Sequence, residues 1–215
     1  METKKLGGEA LYNIDAFPAL PSHPLYEFMK RSIDIVISLV ALLVFAIPLF
    51  IVGLIIKLDS PGSAIYQQER LGKEGRPFML YKFRTMHQDA EKDGAKWADK
   101  NDSRCTKVGA VLRQYRIDEF PQLINILKGD MSIVGPRPER EIFYRKFSEY
   151  IDGFEQRMVV KQGLTGLAQI NGGYDLSPQE KLVYDLEYIQ KRSLWLDITI
   201  IFQTVKVVFG HLGAR

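Results

Sequence analysis

Twenty-two consecutive residues without a charge, Ile35 to Ile56, constrain this chain more than any other stretch. A straight helix of that length, rising about 1.5 Å per residue, reaches roughly 33 Å and is long enough to cross a bilayer. Two features argue against a simple crossing. Pro48 lies past the middle of the run, where its missing N–H and its ring bend or break a helix. Both flanks are basic, with Lys30 and Arg31 before and Lys57, Lys73 and Arg76 after, whereas a spanning segment leaves its Lys/Arg excess on one side. The alternative is a helix that enters one leaflet, turns near Pro48 and leaves on the same side. Sequence alone leaves both open.

Asp34 stands at the edge of the run, three residues after Arg31 and four after Lys30, a spacing that lets it meet either cation on one helix face. An acid so near hydrocarbon is costly unless paired, so Lys30, Arg31 and Asp34 read as a membrane-edge anchor. Three segments follow: a polar, Gly/Pro-punctuated tail over 1–25, a membrane helix over 26–57, and a unit over 58–215 large enough to bury a core. The tail lacks the apolar region and cleavage site of a signal peptide.

Beyond the apolar run the chain reads as α+β and mostly helical. Ala64–Gln67 and Phe78–Phe83 are β-prone around a Gly72–Pro77 turn, which suggests a small hairpin. Lys82 and Arg84 on that hairpin face phosphate or headgroups, or are simply solvated. Asp89–Asp102 is charged and reads as a surface helix or loop. Glu139–Phe154 reads as an amphipathic helix. Gly163–Gly173 is Gly-rich but lacks the Gly-x-x-x-x-Gly-Lys pattern, so it reads as a turn packed near a site. Ser177-Pro178-Gln179-Glu180 is a capping box that opens a helix through Leu182, Leu186 and Ile189. Leu194–Phe209 carries an apolar stripe with Trp195 at one end, suited equally to a core helix and to an in-plane interfacial one.

The residues that bear chemistry centre on Asp118 and Glu119. Val108, Val111, Leu112 and Tyr115 recur at helical spacing, and Pro121 with Leu123, Ile124 and Leu127 opens a second helix. The acids therefore fall at or just before a helix start, where unpaired N–H groups favour carboxylate and phosphate. Arg113, five residues back, makes a plausible site for a phosphorylated substrate held by a divalent metal. Pro136 and Pro138 restrict the backbone around Arg137 and leave its fork pre-aimed for a diphosphate or a nucleobase. A formal charge of +3 on 215 residues describes no general nucleic-acid binder. The single cysteine, Cys105, forms no intrachain disulfide and permits a reducing compartment. His23, His87 and His211 are scattered and show no metal-ligand spacing.

From Gly109 to Pro138 the chain reads GAVLRQYRIDEFPQLINILKGDMSIVGPRP, which resembles the core signature of the bacterial sugar transferase family, the monotopic phosphoglycosyl transferases. KRSID (Lys30–Asp34), YKFRTM (Tyr81–Met86), GLTGLAQINGG (Gly163–Gly173) and YDLEYIQKRSLWLD (Tyr184–Asp197) look like further blocks of that family in the expected order. The resemblance implies a monotopic protein with a re-entrant helical hairpin and a small cytosolic catalytic unit, on the cytoplasmic face of the bacterial inner membrane. It implies transfer of a phosphosugar from a UDP-sugar to polyprenyl phosphate, normally undecaprenyl phosphate, with release of UMP. It assigns Asp118 as nucleophile, Glu119 as the Mg²⁺ holder, and Arg113 and Arg137 to phosphate or nucleotide. Membrane lipids are the expected surroundings, and a homodimer is left open. One departure stands out, because the family commonly carries arginine where this chain has Gly173. Two other classes remain: a membrane-anchored binding protein whose acids merely cap a helix, and a spanning transferase that works by direct metal-assisted attack.

Overall fold

The computed structural model describes residues 20–21, 23–92, 94 and 102–209. The expected tail up to residue 19, and most of the charged segment after Lys92, lie outside the described residues.

The apolar run forms two helices, not one. Helix α1 (Pro24–Val44) and helix α2 (Ala46–Asp59) meet at Phe45 with a bend of 65°. The break falls three residues before Pro48, a shift from the expected turn that has a simple cause. Pro48 has no N–H to donate to the Val44 carbonyl four residues back. The ladder resumes on both sides of that gap, with Phe45 N–H donating to Ala41 O at 2.9 Å and Leu49 N–H to Phe45 O at 2.8 Å. Among the described residues no single helix is long and apolar enough to cross a membrane. Leu43, Ile47 and Phe50 near the bend stand 67–73% exposed.

The inner face of α1 differs from the sequence expectation. Asp34 makes no ion pair with Lys30 or Arg31 among the described residues. Its Oδ1 accepts from Ser132 Oγ at 3.1 Å and Ile133 N–H at 2.9 Å. Lys30 reaches Asp197 Oδ2 and Val134 O, both at 3.0 Å. Arg31 donates to the carbonyls of Ile126 at 2.5 Å and Leu127 at 2.8 Å. Residues spaced for an intrahelical pair instead tie α1 to α4, to β3 and to Asp197. They fasten the hairpin to the body of the protein.

That body packs around two short sheets. Strands β1 (Ile65–Leu71) and β2 (Pro77–Phe83) form the expected antiparallel hairpin, with Ile65 opposite Phe83 and Leu71 opposite Pro77. Helix α3 (Lys107–Gln114) starts at Thr106, whose side chain accepts from Gly109 N–H, and helix α4 (Gln122–Lys128) ends at Gly129 in the left-handed region (φ 93°). Strand β3 (Met131–Val134) pairs in parallel with β4 (Gln162–Thr165). The sequence reading missed this sheet, taking β4 for part of a turn, since four residues with a glycine carry no alternation to detect. Helix α5 (Glu141–Ser148) is shorter than the expected Glu139–Phe154; Gly153 (φ 74°) redirects the chain into a 3₁₀ turn over Phe154–Val159. A short helix α6 (Leu167–Ile170) leads to α7 (Pro178–Lys191), where Ser177 and Glu180 close the capping box. Helix α8 (Leu194–Phe209) places Ile200 in the core, while Trp195, Phe202 and Val205 face outward. Met131, Val134, Ile126, Tyr188 and Ile200 form the centre of the main core.

Candidate active site

Three pieces of chain converge on one cavity of about 440 Å³. The β1–β2 hairpin brings Tyr66, Arg70 and Lys82; the segment from α3 brings Arg113, Asp118 and Glu119; the loop after β3 brings Arg137, Pro138 and Arg140. Arg116 turns the chain in the left-handed region (φ 56°), after which Ile117–Glu119 makes a 3₁₀ turn ahead of α4. Asp118 is 7% exposed. Burial, then its neighbour Glu119, push the Asp118 carboxyl well above the ordinary carboxylate range, against the pull of Lys82, Arg113 and Arg137. Burial disfavours a charged Glu119 too, but Arg137 overrides it and holds that carboxyl below its usual value. Neighbouring cations and burial, not the helix end that the sequence suggested, distinguish the two acids.

Arg137 grips Glu119 with a two-point fork, Nη2 to Oε1 at 2.5 Å and Nη1 to Oε2 at 3.1 Å. Its loop is fixed from behind. Pro136 O accepts from Gly163 N–H at 2.8 Å, Pro138 O from Arg70 at 3.2 Å, and Arg137 O from Arg157 Nη2 at 3.2 Å. Arg157 is itself locked to Asp185 at 2.7 Å, both side chains 1% exposed. Lys82 lies with its ammonium 5.2 Å from the centre of the Tyr66 ring. Burial and the nearby Arg70 lower its pKa to about 8, with Asp118 opposing. Arg113 Nη1 donates to Cys105 Sγ at 2.8 Å.

The sequence profile of the bacterial sugar transferase family matches residues 25–211. The chain belongs to that family. A UDP-N-acetylgalactosamine-undecaprenyl-phosphate N-acetylgalactosaminephosphotransferase of Aeromonas hydrophila is 43% identical over 199 residues, which is 91% of this chain and 47% of that protein. A UDP-glucose:undecaprenyl-phosphate glucose-1-phosphate transferase of Escherichia coli is 41% identical over 214 residues, covering 94% of this chain and 46% of that protein. A protein of the same description from Caulobacter vibrioides is 40% identical, covering 83% of this chain and 69% of that protein. The chain spans about half the length of the first two.

Within this family fold, Asp118, Glu119, Arg113, Lys82, Arg84, Arg137 and Pro138 all line the cavity, and Pro136 does not. Arg84 lines that wall and is also held by backbone. Its terminal nitrogens donate to the carbonyls of Pro61, Ser60 (2.7 Å) and Ile56 (3.3 Å), so it ties the cavity wall to the end of α2. Arg70, Arg104, Arg140 and Phe143 also line the cavity and escaped the sequence reading. Arg70 sits in a strand, and nothing local to its sequence separates it from a solvated arginine. Gly173 borders a side cavity of about 20 Å³ together with Arg116, Arg137, Arg157 and Lys181. Glu139, Ala168 and Gln169 complete the lining of that cavity.

Proposed function

We propose that this chain transfers a phosphosugar from a UDP-sugar to undecaprenyl or a related polyprenyl phosphate, the membrane step that opens bacterial glycoconjugate synthesis. The observation that carries the reading is a buried Asp118 beside a partly exposed Glu119 on the wall of a cavity whose other walls supply Arg70, Lys82, Arg104, Arg113, Arg137 and Arg140. Such a cavity suits a diphosphate, and the relatives' names give the substrates such a site would take.

In this reading Asp118 attacks the β-phosphorus of the UDP-sugar. A bond forms between its carboxylate oxygen and phosphorus, and the bond to the bridging oxygen breaks, so UMP leaves with that electron pair. The lipid phosphate oxygen then attacks the same phosphorus and displaces the Asp118 carboxylate. The attacking form is the ionised one, and burial works against it. Lys82, Arg113 and Arg137 offset that cost while the same charges bind the substrate's phosphates.

Glu119 is the residue we assign to Mg²⁺. The donor set fits: both of its oxygens already face a cation, the Arg137 fork, and Mg²⁺ commonly takes one or two carboxylates beside substrate phosphates. Among the described residues no three acid, histidine or cysteine groups converge, so the assignment rests on Glu119 together with the substrate's own phosphates. When bound, the ion would neutralise diphosphate charge. Arg137 would then turn from Glu119 to the substrate.

The bent α1–α2 pair, with its exposed apolar side chains and basic ends, supports a hairpin that dips into the cytoplasmic leaflet. That depth brings the acid pair within reach of a lipid phosphate and a soluble nucleotide at once. The test is radiolabel from UDP-sugar, mixed with the protein without lipid. Label held covalently by the wild type and not by Asp118→Asn supports the two-step route. Turnover without trapped label points to direct attack, and UMP release by Asp118→Asn at the wild-type rate sinks the reading.

A further inference from the structure

A second cavity, of about 550 Å³, opens at the foot of α1 and shares no lining residue with the acid-pair cavity. Lys30, Arg31, Lys73, Lys161 and Arg192 line it, against Glu27, Asp34 and Glu74. Most of these charges are answered within the wall. Lys30 pairs with Asp197 at 3.0 Å, Lys73 with Glu74 at 3.6 Å, and Arg192 with Glu27 at 3.6 Å. Asp34 accepts from Ser132 and Ile133.

Arg31 and Lys161 are different. Arg31 donates to two of the last carbonyls of α4, whose partial negative charge offsets only part of its own and which leave other N–H donors over. Half-buried Lys161 makes no hydrogen bond or ion pair among the described residues. Arg31 Nη2 and Lys161 Nζ lie 3.6 and 3.7 Å from one point, the place a side chain on Gly129 would begin, so they are no more than about 7 Å apart. Two like charges held that close repel. Burial, then Arg31, keep the Lys161 ammonium below its usual range, with Lys73 adding and Asp34 and Glu27 opposing. A phosphate answers this arrangement, because two of its oxygens, each about 2.8 Å from a charged donor, span such a gap. Leu25, Phe28 and Met29 stand exposed on the same end of α1, giving apolar surface beside the cleft.

We infer that this cleft is a second phosphate site, taking the phosphate of an anionic lipid headgroup, or free phosphate, between Arg31 and Lys161. It does not depend on the transfer reaction.

The test uses the full chain in neutral detergent and reads binding without turnover. Calorimetric titration with inorganic phosphate covers the free ion. Retention on phosphatidylcholine vesicles with and without phosphatidylglycerol covers the headgroup. Loss of one charge-assisted contact predicts that Lys161→Met weakens phosphate binding, or the preference for phosphatidylglycerol, by about tenfold, whereas Lys161→Arg retains it. Lys161→Gln serves as a second variant if the methionine protein does not fold. A folded variant without Lys161 that changes neither reading overturns the proposal. So does binding that survives Lys161→Met but is lost in Arg113→Met, which would put the ion in the acid-pair cavity.

Discussion

Two carboxylate–guanidinium pairs sit back to back in this protein and behave differently. Arg157 and Asp185 are sealed, each 1% exposed, while Arg137 and Glu119 are 25% and 12% exposed on the wall of a cavity. One peptide joins them, since Arg157 donates to the Arg137 carbonyl. The sealed pair is closed to bulk solvent, and through Arg157 it holds the loop. The open pair can change partners, and Asp118 beside it is left as the acid whose charge the site must support. The same pairing is sealed or open according to which side of the Gly135–Pro138 loop it occupies.

The largest expected effect falls on the open side. Asp118→Asn should cut UMP release by at least about 10⁴-fold, the scale of losing a nucleophile, while thermal unfolding in detergent stays where the wild type has it. A parallel loss of folding would mean that Asp118 belongs with the structural pair.

On the sealed side the balance reverses. Asp185→Ala leaves Arg157 charged, buried and uncompensated, which should cost about 3–5 kcal/mol in a denaturant titration. Replacing both partners together, Arg157→Met with Asp185→Leu, should restore most of that stability. Activity should remain low in the double variant, because the Arg137 carbonyl has lost its donor. Full activity there would show that the sealed pair does not position the open one.

Arg137→Lys separates charge from shape. It keeps the positive charge but loses the two-point grip on Glu119, and should slow turnover by about 10- to 100-fold with stability changed by less than about 1 kcal/mol. If lysine worked as well as arginine, the fork would be dispensable and only the charge would matter.

How much of this was legible beforehand follows the range of each interaction. The apolar run, the capping box, the hairpin and the acid pair declare themselves in local patterns of charge and period, and each lies where the sequence placed it. The bend fell three residues early because proline acts through the carbonyl four residues before it. What stayed hidden was partner choice. Asp34 is spaced for Lys30 and Arg31 yet bonds Ser132 and Ile133, about 100 positions away along the chain. Arg84 reads as facing phosphate or headgroups or as simply solvated; it lines the cavity and donates to the backbone at the end of α2. Arg157 and Asp185 lie 28 residues apart with no motif between them, and only folding brings them together.

The smallest expected effect concerns the contact between Arg113 and Cys105. A thiol is a weak acceptor, and Arg113 belongs to the cavity wall whichever way its Nη1 points. Cys105→Ala should therefore raise the KM for UDP-sugar by no more than about threefold, under about 0.7 kcal/mol, and leave kcat unchanged. Arg113→Met should cost at least about tenfold in kcat/KM, because it removes a charge from the site as well as a donor. The pair of measurements places Arg113 on the scale set by the two guanidinium pairs. A large loss in Cys105→Ala would mean that the sulfur aims Arg113 as firmly as Arg157 holds the Arg137 loop. A small loss in both would take Arg113 out of the site and leave Lys82 and Arg137 as the cations that face Asp118.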